Sequence, residues 1–302
     1  MQKFAPLFVI VAAALWGVDG IVLRPSLYGL PVPLVVLIES SIVALILTPF
    51  FRKKRNCLKK LEAKDWAAFV AVAVFGGAIG TMAITRALFY VNYVNLSIVV
   101  LIQKLQPLFA IGLATLILHE KPKREFYFWA LAAVIGAYIM TFGWSLPQLS
   151  PDNKTAMAAL FAVIATVSFG ASTVLSKRGL KNVGFEMGTY LRFVITTLIM
   201  LPLVMLLGDL PAVQQISGKQ ALVFLIIAFS TGGPAIFLYY YGLKNIPASV
   251  ATICELAFPL TAVLLEYLLR GNLMSPVQWM GVILLIGSML RVSRLKPVAI
   301  QS

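Results

Sequence analysis

Ten apolar runs fill most of this 302-residue chain, and each is about as long as a helix that crosses a lipid bilayer. About 20 residues, rising 1.5 Å each, span the ~30 Å hydrocarbon core. The chain is 60% apolar and 12% charged, whereas soluble domains are roughly 25% charged. One soluble core of this size cannot bury that much apolar surface. The sequence therefore predicts an all-α integral membrane protein. Its ten transmembrane helices are expected at 4–23, 32–51, 66–89, 94–118, 126–142, 155–175, 185–207, 221–243, 249–269 and 277–290.

The basic residues indicate how the predicted helices are oriented. With an inside N-terminus, eighteen of the 25 Lys and Arg residues fall on the side of the two chain ends. Four fall on the opposite side, at Arg24, Lys154, Lys219 and Arg270. Positive residues resist translocation, so both termini are expected in the cytoplasm. The net charge of +14 is then a topology signal, and no nucleic-acid partner is expected.

The two halves of the chain resemble each other. A shift of 152 residues aligns six positions of the predicted helix 94–118 with the helix 249–269, with Pro107 over Pro259 among them. The repeat argues for duplication. Because each half has five helices, an odd number, the second half must lie upside down in the membrane. We expect residues 1–147 to form the first five-helix repeat and residues 148–302 the second, inverted one. Inverted repeats are typical of transporters, which bind the solute near the midplane.

Short motifs occur in the order of a known family. They are ALWGVDG in the first helix, LQPLFA and ILHEK in the fourth, LRF in the seventh, AFPLTA in the ninth and QWMGVILLIGSML in the tenth. Across nearly its whole length the chain resembles an EamA-type member of the drug/metabolite transporter superfamily. The resemblance implies ten helices in two inverted halves that export or exchange a small metabolite. The chain departs from the family pattern at Glu39, where Arg is frequent, and at Gly271 and Asn272, where Gly-Glu is usual.

Six charged residues inside the predicted helices are the first candidates for a substrate-binding site. They are Asp19, Glu39, Arg86, Lys104, Arg192 and Glu255. Each costs at least ~2.5 to 3.5 kcal/mol at the centre of a membrane helix unless it faces a partner or a wet cavity. Lys104 and Glu255 take almost matching places in the two halves, near the midplane. We expect a cavity lined by both signs of charge. Structural ion pairs are the alternative, and Arg86, near a helix end, can instead extend to the interface.

Three aromatic residues are expected beside these charges. Trp16 lies one turn before Asp19, Tyr240 belongs to a run of three tyrosines, and Tyr90 closes the third helix. An interfacial belt is the alternative for aromatics near helix ends.

Helix breakers at matching depths in the two halves are expected to act as gating positions. Pro107 and Pro259 each remove an internal hydrogen bond, which bends a helix and frees a carbonyl. Gly80 lies over Gly232 in the same 152-residue shift. Close helix packing is the alternative for the glycines.

The sequence carries no enzyme motif. The single histidine, His119, has no second histidine at zinc-site spacing, and neither a Gly-x-Ser-x-Gly nor a Walker sequence occurs. We expect no enzyme activity and no metal or other cofactor. An intramembrane enzyme, a passive channel and a receptor remain the alternatives.

These observations favour a secondary transporter of a small organic metabolite, an exporter or exchanger in a bacterial cytoplasmic membrane, working by alternating access. The expected partners are the solute and the lipid bilayer, with the protein a monomer or weak homodimer. Asp19, Glu39 and Glu255 are expected to couple a proton, since buried carboxylates can load and release one. The charges of Lys104 and Glu255 favour an amino acid or amino-acid-like solute. A neutral sugar or nucleoside, and then a lipophilic cation, are the alternatives.

Overall fold

The computed structural model describes residues 4–27, 29–51, 58–59, 61–90, 99, 102–146, 153–270 and 274–295. The regular structure of these residues is helical throughout, without a strand. Within them, nine helices are long and apolar enough to cross a membrane, and a further apolar helix, Gln106–Ile117, is shorter. The predicted all-α membrane fold is confirmed, and the predicted count of ten helices holds approximately.

The helices divide between the two halves of the chain. The first half contains α1 (Ala5–Val18), α2 (Val32–Phe51), α3 (Ala63–Val72), α4 (Gly80–Tyr90), α5 (Gln106–Ile117) and α6 (Arg124–Phe142). The second half contains α7 (Asn153–Gly179), α8 (Phe185–Leu207), α9 (Gly218–Ile227), α10 (Gly233–Asn245), α11 (Ala248–Cys254), α12 (Ala257–Arg270) and α13 (Pro276–Arg294). Wider π-helical stretches extend α1 at Asp19–Leu23, join α3 to α4 at Ala73–Ile79, and join α9 to α10 at Ala228–Gly232.

Short polar signals set the ends of several spans. Ser217 and Ser275 cap α9 and α13, and in each case a glutamine three residues on bonds back to the capping residue. This reciprocal arrangement satisfies backbone donors that a helix start leaves free. At the other end of α8, Gly208 adopts a left-handed conformation with φ 73°, which glycine takes without strain and which stops the helix.

Small residues fill the interior of the bundle and large ones cover its surface. Ala12, Ala133 and Ala137 are completely buried, whereas Leu45 and Leu206 are 71% and 85% exposed. Water would penalise such a surface, but lipid does not, and small interior residues let helix backbones approach closely. The distribution of side chains is that of a protein surrounded by lipid.

Helix contacts follow a two-fold relation between the halves. α7 packs on α4 and α5, and its counterpart α1 packs on α10 and α12, which are the counterparts of α4 and α5. Other contacts join counterparts directly: α2 meets α8, and α6 meets α13. Counterparts touch each other where they lie on the pseudo-two-fold axis. These contacts are those of two inverted repeats.

A break interrupts the fourth and the ninth predicted helix at nearly the same place. The chain turns at Lys104–Leu105 before α5 and at Glu255–Leu256 before α12. Each turn carries shorter i→i−3 bonds, from Leu105 N to the Ile102 carbonyl and from Leu256 N to the Ile253 carbonyl. Pro107 and Pro259 follow in the first turn of the next helix, where a missing N–H does little harm. The prolines thus mark turns between two helical segments rather than bends inside one helix, and their gating role stays a prediction.

Gly80 and Gly232 both lie at the end of a π-helical stretch. An added Cβ would come within 2.7 Å of the Phe75 carbonyl at Gly80 and within 2.9 Å of the Ile227 carbonyl at Gly232. In both cases that carbonyl belongs to the residue five positions earlier, so the wide turn leaves no room for a side chain. At Gly80 the added atom would also meet the Phe169 ring at 2.8 Å. Glycine is thus required at both positions by the wide turn itself and at Gly80 also by the packing of Phe169, and gating remains a prediction.

Polar contacts between the halves join helix ends on the side of the bundle that carries the predicted basic connectors. The buried Asp65 carboxylate accepts from Arg178 at 2.6 Å and from Asn182 at 2.8 Å. Glu120 accepts from the backbone N–H groups of Ala248 and Ser249, at the start of α11, at 2.7 and 3.0 Å. A carboxylate at a helix N-terminus is favourably placed. These bonds close this end of the bundle.

Candidate functional site

Glu255 lies at the break between α11 and α12, where three neutral side chains donate hydrogen bonds to its carboxylate. Tyr239 of α10 donates to Oε1 at 2.7 Å, and Thr173 of α7 donates to the same oxygen at 3.1 Å. Gln106 of α5 donates from Nε2 to Oε2 at 3.0 Å. Gln106 belongs to the first half and the others belong to the second. The cluster therefore lies between the halves, the region in which transporters of this design bind their solutes.

Tyr240 organises a second set of contacts next to this cluster. Its hydroxyl lies 3.0 Å from the Ser176 hydroxyl and accepts from Arg192 Nη1 at 3.3 Å. The Arg192 guanidinium also lies 5.8 Å from the centre of the Tyr240 ring, a cation–π distance. The rings of Tyr240 and Tyr239 lie 5.8 Å apart between centres, so Arg192 joins the residues around Glu255 through this pair of tyrosines. Tyr240 itself is fully buried, so it orients Arg192 rather than offering its own ring to a solute.

Trp16 joins the cluster through an aromatic contact. Its ring centre lies 5.1 Å from that of Tyr239, with the planes tilted by 56°. Tyr239 is buried. Part of the side-chain surface stays exposed at four residues around it: Trp16, Gln106, Arg192 and Glu255. This part of the bundle therefore combines an indole face, an amide, a guanidinium and a carboxylate. We name Trp16, Gln106, Arg192, Tyr239 and Glu255 the Glu255 cluster.

Asp19 and Glu39 lie in a separate group with Arg24, which we name the Asp19 triad. Arg24 Nη2 is 2.6 Å from Asp19 Oδ2 and 3.4 Å from Glu39 Oε1. Arg24 was predicted to lie outside the helices, but the π-helical stretch and the turn Arg24–Leu27 extend the first span past it. The triad thus joins two predicted site residues to an arginine that was assigned to a connector.

Lys104 is 5% exposed and lies at the turn before α5. Among the described residues it forms no ion pair with Glu255, whose contacts are those given above. It stands two residues before Gln106, which does reach Glu255. The two charges at the matched breaks therefore form no direct ion pair among the described residues, and Gln106 is the residue after this break that bonds to Glu255.

Of two further predicted site residues, one is not brought to either group and the other has a side chain outside the described residues. Arg86 is exposed on α4, which fits the alternative in which its side chain extends to the interface. Tyr90 ends α4, and its side chain lies outside the described residues.

A separate cavity of about 390 Å³ lies between the end of α2, the start of α3 and α8. Thr48 and Tyr190 close one wall with hydroxyls 3.2 Å apart, and Phe51 stacks on Tyr190 at 5.3 Å between ring centres. The remaining lining is almost entirely apolar. Apart from the two hydroxyls, the cavity therefore has few polar groups that could orient a polar solute.

Four residues that form these groups or bond to them were not predicted as site residues: Gln106, Thr173, Tyr239 and Arg24. Gln106 and Thr173 carry no charge, so they stand out little in apolar helices. Tyr240 was the member of the tyrosine run that was expected beside the charges, because the sequence alone does not distinguish it from Tyr239. No group of three or more His, Cys, Asp or Glu residues able to hold a metal occurs among the described residues.

Comparison with known proteins gives concordant results. The EamA-like transporter family matches the chain twice, at residues 3–142 and 156–294. The riboflavin transporter ImpX of Fusobacterium nucleatum is 43% identical over 290 residues, which cover 96% of this chain and 97% of that protein. The uncharacterized transporter YwfM of Bacillus subtilis is 28% identical over 95% of this chain and 93% of its own.

A solved crystal structure shares the fold. It superposes with a TM-score of 0.74 at 16% identity and covers 97% of this chain and 98% of its own. Two family matches, one in each half, account for most of the residues and coincide with the helices that contact across the pseudo-two-fold axis. The chain is a multi-pass membrane protein and belongs to the EamA-like transporter family.

Proposed function

We propose that the protein is a secondary transporter of riboflavin or a closely similar flavin. The observation that carries the proposal is the 43% identity to a riboflavin transporter over nearly the full length of both chains. The Glu255 cluster supports it chemically. A flavin combines a flat heteroaromatic ring, an imide edge and a polyol chain. An indole face beside a carboxylate, an amide and a guanidinium offers stacking together with acceptors and donors for such a molecule.

Alternating access is the proposed mechanism. Matched turns at Lys104–Leu105 and Glu255–Leu256 divide the fourth and ninth helices near the Glu255 cluster. Discontinuous helices of this kind expose backbone groups to a solute and let one repeat rock against the other. The protein is proposed to exchange the flavin across a bacterial cytoplasmic membrane, with both termini in the cytoplasm.

An amino-acid-like solute is the competing proposal. It depends on Lys104 and Glu255 meeting the two charges of one zwitterion. Glu255 is held by neutral donors, and its cationic neighbour is Arg192. Loss of the Glu255 charge should weaken binding under both proposals. The proposals are distinguished by which unlabelled solutes compete with labelled riboflavin for transport.

Counterflow into proteoliposomes tests the function. Vesicles that contain the purified full-length protein and unlabelled riboflavin should accumulate labelled riboflavin transiently. Unlabelled flavins should compete, whereas amino acids, nucleosides and sugars should not. Glu255→Gln should weaken riboflavin binding about 10- to 100-fold, because hydrogen bonds to a charged group contribute about 1.5 to 3 kcal/mol.

Glu125→Gln is the matched control, because Glu125 forms an exposed pair with Arg291 on α13, away from the Glu255 cluster. It should behave as the wild type. Absence of riboflavin counterflow, with counterflow of an amino acid in its place, would replace the flavin by the competing solute.

A further inference from the structure

We propose that the cavity of about 390 Å³ between the end of α2, the start of α3 and α8 binds an acyl chain of one anionic phospholipid. We name it the lateral cavity. Its lining consists of Thr48, Tyr190 and eight apolar residues from these three elements and from Leu58. The lipid stays with the protein and is distinct from the transported solute.

The dimensions of the lateral cavity fit a hydrocarbon chain. Along α8 the lining runs from Met187 to Leu198, which is about 16 Å at 1.5 Å per residue. One leaflet of the hydrocarbon core of a bilayer is about 15 Å deep. Apolar cavities of about 150 Å³ already bind molecules the size of benzene. The lateral cavity therefore has room for a longer hydrocarbon chain.

The two hydroxyl groups of the lining are satisfied within the protein. Thr48 donates to the Ala44 carbonyl at 2.7 Å and lies 3.2 Å from the Tyr190 hydroxyl. The Phe51 ring stacks on the Tyr190 ring, with the planes 13° apart. A molecule in the lateral cavity therefore meets mainly aliphatic and aromatic carbon, which favours an apolar ligand.

The most exposed lining residues mark the mouth of the lateral cavity. Leu198 is 63% exposed and Trp66 is 37% exposed, whereas Met187 and Leu191 are buried. Trp66 lies in the first turn of α3, and tryptophan prefers the interface between the bilayer and water. A lipid can therefore place its chain between the helices while its headgroup stays at the interface.

Basic residues adjoin the lining residues along the chain. Phe51 and Leu58 both line the lateral cavity. Between them, residues 52–55 are all Lys or Arg and lie outside the described residues. Lys59 directly follows Leu58, Lys64 lies in the first turn of α3, and both are exposed. Several Lys or Arg residues next to a membrane span attract anionic lipids.

Acidic residues next to these bases do not cancel their charge. Residues 52–64 contain seven Lys and Arg residues and one acid, Glu62. Asp65 follows, but it is buried and bonded to Arg178. An anionic headgroup is therefore attracted to this end of the bundle, whereas a zwitterionic headgroup gains little.

The lateral cavity lies between the two halves of the chain. α2 and α3 belong to the first half, and α8 belongs to the second. A hydrocarbon chain that fills the cavity adds apolar contacts to both halves. Lipid binding should therefore stabilise the folded protein.

Lipid titration of the delipidated full-length protein in detergent tests the site. Dioleoyl phosphatidylglycerol, dioleoyl phosphatidylcholine and glycerol 3-phosphate are added separately. Bound molecules are counted by native mass spectrometry, and thermal unfolding is followed in parallel. One phosphatidylglycerol should bind with an affinity at least about tenfold above that of phosphatidylcholine. It should raise the apparent melting temperature by several degrees. Glycerol 3-phosphate should do neither, because it has no acyl chain.

A substitution that fills the lateral cavity should remove this binding. Val194 lines the cavity, so Val194→Phe should abolish both the tight binding and the rise in melting temperature. Leu198→Trp, at the exposed mouth, serves in the same way if Val194→Phe does not fold. Leu206→Phe is the matched control, because Leu206 is an exposed residue of α8 outside the lining. It should respond to the lipid as the wild type does.

The basic residues are tested by a second pair of variants. Lys59→Gln combined with Lys64→Gln should lower the preference for the anionic lipid at least about threefold. Lys121→Gln combined with Lys123→Gln removes the same charge from exposed residues between α5 and α6. This control should keep the preference of the wild type.

Each outcome decides for or against the lipid. Loss of one tightly bound phosphatidylglycerol in Val194→Phe but not in Leu206→Phe supports it. Equal affinity of the wild type for the two lipids overturns the proposal, and so does tight binding that survives in folded Val194→Phe and Leu198→Trp. Binding of glycerol 3-phosphate in place of the lipid also overturns it. If the wild type has the mass of two chains and Val194→Phe that of one, a second copy occupies the cavity and the lipid proposal is wrong.

Discussion

Tyr239 combines two contacts of the Glu255 cluster in one side chain. Its hydroxyl donates to Glu255 at 2.7 Å, and its ring contacts Trp16. Tyr239→Phe should keep the ring contact and remove the hydrogen bond to the carboxylate. We expect riboflavin binding to weaken about tenfold or more, in line with the ~1.5 to 3 kcal/mol of a charge-assisted bond. Titration of flavin fluorescence against the purified protein measures this.

Tyr241→Phe is the matched control for this change. Tyr241 lies in the same tyrosine run but packs its ring against Phe8 and Phe185, away from Glu255. Tyr241→Phe also removes one hydroxyl, but it should leave riboflavin binding unaltered. Equal loss in both variants would mean that the effect comes from the packing of α10 rather than from the bond to Glu255.

The charged residues of the candidate site could be predicted from the sequence, but their neutral hydrogen-bond partners could not. Glu39, Arg192 and Glu255 are conspicuous because a charge inside an apolar helix is costly. Thr173 does not stand out in the sequence. Membrane helices tolerate many Ser and Thr residues, since their hydroxyls can bond to the carbonyl four residues earlier. Which partner Glu255 takes depends on how the halves pack, and neither spacing nor charge reveals that.

At the scale of the helix, the turn before α12 determines where Glu255 points. Pro259 withholds the backbone N–H that would otherwise bond to the Glu255 carbonyl in a continuous helix. Pro259→Ala allows α11 and α12 to join and would shift the Glu255 side chain. We expect folded protein with a turnover at least several-fold below that of the wild type, measured as the initial rate of counterflow.

Pro276→Ala provides the comparison, because Pro276 also lies in the first turn of a helix but is exposed at the start of α13. Its rate should match the wild type. If Pro259→Ala also transports at the wild-type rate, the proline serves only to shape the helix start.

The end of the bundle that is closed by Asp65 gives another prediction. Asp65→Asn weakens the bonds to Arg178 and Asn182 that join the two halves. Opening this end should expose the buried Cys254, which precedes Glu255. In a Cys57→Ser background, where Cys254 is the single cysteine, a membrane-permeable maleimide should label it several-fold faster. Glu125→Gln, which breaks only an exposed pair, should not change the rate.

Helix positions were largely predictable, but the irregular stretches between them were not. The bounds of α2 and α8 agree with the prediction to the residue, because Pro, Gly and charged residues frame each apolar run. The π-helical stretches lie where helices from distant parts of the chain come close, as at Gly80, where an added Cβ would meet the Phe169 ring. Such contacts join residues far apart in the chain, so no local pattern indicates them.

At the scale of the whole molecule, duplication is the feature that the sequence reveals most clearly. One shift of 152 residues relates the halves. The helix contacts follow the same relation, because α1 packs on α10 and α12 of the second half and α7 packs on α4 and α5 of the first half. The two halves nevertheless differ in the contacts of equivalent residues. Glu39 on α2 aligns approximately with Arg192 on α8, yet Glu39 belongs to the Asp19 triad and Arg192 to the Glu255 cluster. Equivalent positions of a duplicated fold can thus belong to two different groups of contacts.

The orientation in the membrane is the last prediction, and the two native cysteines report it. Cys57 falls in the basic segment before α3, outside the described residues, and the distribution of positive charge predicts a cytoplasmic position for it. An impermeant maleimide should leave intact cells unlabelled and should label Cys57 after lysis. Cys254 is fully buried and should stay unlabelled in both cases, which Cys57→Ser verifies. Labelling of Cys57 on intact cells would reverse the orientation, and the Asp65 contacts would then close the outer end of the bundle.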